Sequence, residues 1–165
     1  MATQLKNLSD FSATEIPSAS PYKFAIAVAE WNAEITGALY EGAYQSLISN
    51  GALADNIYSY NVPGSFELTS AADLLLKNNP ELDAVICLGC VIQGETKHFD
   101  FICDAVANGL SNVAVKYSKP VIFGVLTTNN QQQAVDRAGG KHGNKGDEAA
   151  ITAIKMAKLA ETLKG

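Results

Sequence analysis

The segment VIQGETKHFDF, Val91 to Phe101, passes from an apolar stretch through a polar loop carrying Gly94 to His98, where a helix is expected to begin. An imidazole there has an unperturbed pKa of ~6.5 and is suited to proton transfer near neutrality, or it simply caps or flanks the helix as a surface group. In the same loop Gly94 permits close backbone approach, Thr96 offers a hydroxyl, and the free N–H groups of the coming helix favour an anion such as phosphate. A second concentration of chemistry is DRAGGKHGNKGDE, which places Arg137, Lys141 and Lys145 within nine residues. Either this is an inter-helix turn with solvated charges, or Arg137 forks onto a phosphate or carboxylate in a geometry that lysine cannot reproduce. It is not a Walker A loop, because His142 follows Lys141 and the segment joins two helices. The turn VPGSFE leads from a strand into a helix through Pro63 and Gly64, with the Ser65 hydroxyl expected to point outwards. It is a cradle for a polar ring or an ordinary N-cap. A nucleophile elbow would need G-x-S-x-G, and Phe66 and Glu67 follow Ser65 here. Cys87 and Cys90 spell C-x-x-C, but on a strand residues three apart face opposite ways, so buried structural thiols are expected rather than a zinc or redox pair.

These groups need a scaffold. KFAIAVAE, NIYSYNV, AVICLGCVI and PVIFGVLTT read as strands, separated by segments of helical period. EITGALYEGAYQSLISN carries Ile35, Leu39, Ala43 and Leu47 at i, i+4 spacing and stops at Gly51; FELTSAADLLLKNNP stops before Pro80. HFDFICDAVANGLSNVAVKYS, NNQQQAVDRA and DEAAITAIKMAKLAETL complete the helices. Nearly continuous apolar strands alternating with helices imply an α/β fold of three layers, a parallel sheet with helices on both faces. Ligands of such sheets bind beyond the carboxyl ends of the strands, where EWN, VPGSFE, VIQGETKH and LTTNN share one edge. In the last helix Ala150, Ala153, Ile154 and Ala157 form an apolar stripe that Ile151, Met156 and Leu159 carry further round the cylinder. So wide a face favours a homo-oligomer over a helix buried in its own chain.

The chain has 165 residues, enough to bury roughly 70% of the unfolded surface. Residues 1–21 read as an extended N-terminal arm, marked by Pro17, Ser18, Ser20 and Pro21, and 22–165 as one α/β domain. A formal charge of −5 without runs of like sign gives no nucleic-acid footprint and no basic membrane face. Three unevenly spaced cysteines argue against a disulfide framework, and the polar start has no apolar signal core, so a cytoplasmic protein is expected.

In order and spacing, EWN, VPGSFEL, LGCVIQGETKHFDF, PVIFGVLTT and DRAGGKHGNKGDEAA resemble the lumazine synthase family of riboflavin biosynthesis, over about Tyr22 to Leu163. The resemblance implies a flavodoxin-like fold with a four-stranded parallel sheet. It also implies a transferase that needs no cofactor and no metal. The implied reaction condenses 5-amino-6-(D-ribitylamino)uracil with 3,4-dihydroxy-2-butanone 4-phosphate to 6,7-dimethyl-8-ribityllumazine, phosphate and water, the penultimate step of that pathway.

By the same resemblance Trp31 stacks on the pyrimidine, and Ser65, Phe66 and Glu67 bind the ribityl chain and ring edge. Cys90, Val91 and Ile92 line the site largely with main-chain groups, Glu95 and Thr96 hold the phosphate through main-chain N–H and hydroxyl, and His98 transfers protons. Phe123, Arg137 and Lys145 are implied to arrive from the neighbouring subunit of a pentamer, with Arg137 sharing in catalysis. The sequence departs from the commoner family pattern at Glu30 and Gln93, where arginine is frequent, and at Cys90, where threonine is frequent; two fewer positive charges weaken phosphate attraction. No insertion follows Arg137, and Gly139, Gly140 and Gly143 are expected to take positive φ in a sharp turn, which in the family accompanies an icosahedral shell. The segment ATEI is expected to add to a neighbour's sheet edge.

Overall fold

The computed structural model describes residues 9–11 and 15–164. The elements run β1 (Phe24–Ala29), α1 (Ala33–Ser49), β2 (Ile57–Val62), α2 (Leu68–Asn78), β3 (Ala84–Ile92), α3 (His98–Tyr117), β4 (Val121–Thr128), α4 (Gln131–Asp136), β5 (Ala138–Gly140), β6 (Gly143–Asn144) and α5 (Lys145–Leu163). Short 3-10 turns at Ala54–Asn56 and Ser65–Glu67 lead into β2 and α2. The first four strands form one parallel sheet in the order β2-β1-β3-β4.

Side-chain alternation along these strands divides the core into two layers. Phe24, Ile26, Ile86 and Leu88 face α1 and α5, where they meet Leu39, Leu47, Ala150 and Ile154. Ala25, Ala27, Val85 and Cys87 face α2 and α3, where they meet Leu68, Leu76, Val106 and Leu110. All six residues of β1 are buried, as a strand covered on both faces requires. The three layers, the four strands and the five main helical segments agree with the pattern in the sequence.

Two details differ. The segment after α4 is an antiparallel hairpin of β5 and β6 rather than a bare turn, tied by His142 N–H to Asp136 O at 2.9 Å and Lys145 N–H to Arg137 O at 2.8 Å. Gly139 and Gly143 take φ of 98° and 86°, but Gly140 does not have a positive φ. Gly140 is needed for space: a Cβ there would lie 2.7 Å from Val135 O and 2.8 Å from Asp136 Cα. In α5, Ile151 belongs to the chain's own core, whereas Met156, Leu159 and Leu163 are exposed.

Most of the expected arm, 1–8 and 12–14, lies outside the described residues, and with it the first half of ATEI. The Ser9 hydroxyl accepts from Asn144 N at 2.7 Å and donates to Asn144 O at 2.9 Å, so this point of the arm is held on its own chain at the start of α5. Phe11 and Ile16 pack partly against the core.

The first turn of α5 approaches α1 so closely that only glycine fits. A Cβ on Gly146 would stand 1.9 Å from Leu39 O, and one on Gly42 would stand 2.5 Å from the Asn144 amide nitrogen. That amide caps α5, accepting from Gly146 N at 2.8 Å and donating to Ala38 O at 2.9 Å. Gly146→Ala must therefore push a backbone carbonyl aside. The expected loss is at least ~1–3 kcal/mol of stability, read from denaturant unfolding. An unchanged unfolding midpoint would show that the two helices are not rigidly docked there.

Candidate active site

β3 stays paired to β4 as far as Ile92 with Thr128, but its pairing to β1 ends at Leu88 with Val28. The chain leaving β1 turns away, and the space opened at the carboxyl end of the sheet is a cavity of ≈ 670 Å³. Trp31, Ser65, Phe66, Glu67, Cys90, Val91, Ile92 and His98 all line it, as do Asn32 and Ile102. The loops around it are stitched together: Glu30 N–H donates to Val62 O at 2.8 Å, Trp31 N–H to Pro63 O at 3.2 Å, and the Asn32 amide to Cys90 O at 2.9 Å. Trp31 and Phe66 are 73% and 55% exposed, so their rings remain uncovered within the chain and present flat apolar faces to the cavity.

Ser65 corrects the expectation from sequence. Its side chain is buried, not directed outwards, and a Cβ on Gly89 would lie 2.5 Å from its Oγ. The absent side chain of Gly89 makes the room for it. Nor does Ser65 act as an N-cap, since Gly64 and Glu67 occupy the cap positions of the turn and of α2 without side-chain capping bonds.

His98 is the first residue of α3 and is exposed, with its main-chain N–H donating to Thr96 Oγ at 3.4 Å. Thr96 thus steadies the start of the helix, and the imidazole makes no hydrogen bond or ion pair among the described residues. Glu95 and Thr96 stand in the exposed β3–α3 loop beside the cavity rather than in its lining. Cys87 and Cys90 belong to opposite core layers. Burial pushes their thiols up to about 12 and about 11, so both stay neutral and are poor nucleophiles near neutrality. No cluster of three or more metal-ligating side chains occurs among the described residues.

Arg137, Lys145 and Phe123 lie elsewhere. Arg137 Nη2 is 2.8 Å from Glu148 Oε1, its Nη1 donates to His142 O at 3.0 Å, and Lys145 Nζ is 3.2 Å from Glu148 Oε2. Lys141 is drawn off to Asp136 at 3.0 Å. Glu148 therefore holds two cations side by side and leaves the trio with one net positive charge. The i, i+3 spacing from Lys145 on a helix could have disclosed it in the sequence. Phe123, Lys145 and Glu148 line a second, larger space of ≈ 850 Å³, an open groove along the free edge of β4 between α3 and α5. Val115, Met156, Leu159 and Leu163 continue it as exposed apolar surface.

The candidate residues thus gather in two separate places. Aromatic faces, a hydroxyl, a carboxylate and an imidazole line the cavity, with Glu95 and Thr96 in the loop beside it, whereas Phe123 and Lys145 line the groove and Arg137 stands beside it, joined to its wall through Glu148.

The family model described as 6,7-dimethyl-8-ribityllumazine synthase matches residues 21–161. A protein of that name from Cytophaga hutchinsonii is 61% identical over 163 residues, covering 99% of this chain and all of the relative. Proteins of the same name from Flavobacterium johnsoniae and Christiangramia forsetii are 53% and 51% identical, over 98% and 99% of this chain and 84% and 98% of theirs.

Proposed function

The chain belongs to the 6,7-dimethyl-8-ribityllumazine synthase family, and from that premise we propose how its two groups of residues share one reaction. The enzyme condenses 5-amino-6-(D-ribitylamino)uracil with 3,4-dihydroxy-2-butanone 4-phosphate to 6,7-dimethyl-8-ribityllumazine in riboflavin biosynthesis. The amine attacks the ketone and loses water to give an imine. Elimination expels phosphate, and ring closure expels a second water.

In this reading Trp31 stacks on the pyrimidine, Phe66 flanks it, and Ser65 and Glu67 meet the ribityl hydroxyls and ring edge. Main-chain groups of Cys90, Val91 and Ile92 bind the ring where β3 has lost its strand partner on the β1 side. Glu95 and Thr96 cradle the phosphate with N–H and hydroxyl groups at the start of α3, so the carboxylate of Glu95 need not face the anion. His98 relays protons at each step. Glu30 and Gln93, both exposed, supply no positive charge, which leaves the anion to a more distant cation.

The observation that carries the reading is the separation of the two depressions. A second copy whose β4 edge covers the cavity would bring Phe123, Arg137 and Lys145 to the substrates and bury the apolar groove in the same contact. Repeated round a ring, which the family resemblance makes a pentamer, this contact puts active sites between adjacent subunits. The segment after Arg137 is a short hairpin without an insertion, which supports further closure of pentamers into an icosahedral shell. The described residues contain no helix long and apolar enough to cross a membrane.

Arg137→Lys tests the anion anchor. The substitution keeps the charge but loses the fork that serves His142 O, Glu148 and the phosphate together. Affinity for the butanone phosphate is expected to fall by ~1.5–3 kcal/mol, roughly 10- to 150-fold in Kd. Calorimetry with inorganic phosphate and with the phosphorylated substrate measures it. Unchanged affinity for both would remove Arg137 from the anion site.

A further inference from the structure

Asn32 breaks a local rule at the rim of the cavity. It is the N-cap of α1, and asparagine there ordinarily has an extended backbone and accepts a first-turn N–H with its side-chain oxygen. Here it sits at φ 61° and ψ 46° and makes no side-chain cap. Its main-chain carbonyl takes the Ile35 and Thr36 N–H groups at 2.9 and 3.0 Å, while its amide reaches across to Cys90 O at 2.9 Å. Among the described residues the other non-glycine with positive φ is Ser118, at the C-cap of α3, where a left-handed residue is ordinary. A backbone choice that sacrifices a cap beside a ligand cavity points to a use for the side chain.

That use lies in what the amide replaces. Gly89 to Ile92 have no strand partner on the β1 side, and the Asn32 amide satisfies one carbonyl of this free edge. The neighbouring Trp31 is 73% exposed within its own chain, so packing inside that chain does little to fix its indole, and the backbone that carries it limits the rotamers it can take. On one side that backbone is held by the Trp31 N–H to Pro63 O bond of 3.2 Å, and on the other by Asn32 through Cys90.

We propose that Asn32 is a positioning residue whose bond to the Cys90 carbonyl sets the plane of Trp31 over the cavity, and with it the affinity for the ribitylaminouracil ring. The proposal rests on the reading of this cavity as the pyrimidine site. It acts on binding of one substrate and leaves the proton carrier His98 in place.

Trp31 is the one tryptophan of the chain, so its fluorescence reports on its own ring. Asn32→Gly retains access to the left-handed backbone and removes the amide; Asn32→Asp tolerates the same backbone and sets a second acceptor against Cys90 O. In the assembled protein both are expected to enlarge the fast component of the Trp31 anisotropy decay. Both should raise KM for the ribitylaminouracil about 5- to 50-fold, with kcat and KM for the butanone phosphate within about 2-fold of the parent. In a Trp31→Ala background, adding Asn32→Gly should change KM by less than about 2-fold, because the ring it positions is gone. Wild-type KM and anisotropy in Asn32→Gly would overturn the proposal by showing that only the backbone conformation matters. A loss confined to kcat, or an equal rise in KM with and without Trp31, would overturn it too. Trp31→Ala with a wild-type KM would instead remove the pyrimidine-site reading on which the proposal stands.

Discussion

His98→Ala is expected to slow lumazine formation by on the order of 10²–10⁴-fold while leaving substrate and phosphate affinity nearly unchanged, because in the proposed reaction it removes a proton carrier and no anion ligand. The local structure favours a clean result. His98 is exposed at the first position of α3, and the bonds that hold this turn are made by main-chain N–H groups, those of Asp100 and Phe101 to Lys97 O and that of His98 to Thr96 Oγ, which alanine retains. Alanine is also the best helix former, so α3 is not weakened. The size of the loss depends on how much of the acceleration comes from aligning the two substrates, which the substitution does not touch. If alignment dominates, the low end is reached, since water can relay protons through the vacated space. Stopped-flow absorbance of the product, beside calorimetry with phosphate, separates the terms. Parent-like turnover across the pH range, or a loss traced to failed assembly, would remove His98 from the proton-transfer role.

The groups in the cavity were legible in the sequence because each sits at a junction that local chemistry specifies. His98 begins a helix after an apolar strand, and Trp31 and Phe66 follow strands at the same edge of a parallel sheet. What stayed hidden depends on contacts distant in the chain. The direction of Ser65 is set by the missing side chain of Gly89 on another strand. Gly140 looks like a flexible turn residue, yet the backbone of Val135 and Asp136 passes within 3 Å of where its Cβ would be. β5 and β6 are three and two residues long, too short to carry any hydrophobic period. Asn32 was visible as a polar residue before a helix, but nothing local shows that its amide leaves the helix to reach Cys90. The wide apolar stripe of α5 was legible as a whole, while its division into Ile151 inside and Met156, Leu159 and Leu163 outside needed the fold.

The separation of the two depressions makes the strongest prediction one about mixing subunits. In the proposed reaction His98→Ala disables the cavity and Arg137→Ala the cation cluster beside the groove. If one active site draws His98 from one copy and Arg137 from the next, an interface pairing an intact cavity with an intact groove recovers full chemistry. Random co-assembly of equal amounts should restore about one quarter of the interfaces, from two independent one-half chances around a closed ring. Each variant alone remains low, so dissociating and reassembling the mixture should raise activity by one or more orders of magnitude. Mixing without dissociation should do nothing. Arg137→Ala also releases Glu148, leaving it with Lys145 alone, and that partner keeps the half-buried carboxylate compensated. Light scattering on the same samples checks that closed particles or pentamers form, because failure to associate would silence the mixture for another reason. Efficient co-assembly with no recovered activity would place both residues in a site made within one chain. The apolar groove along β4 would then need another explanation.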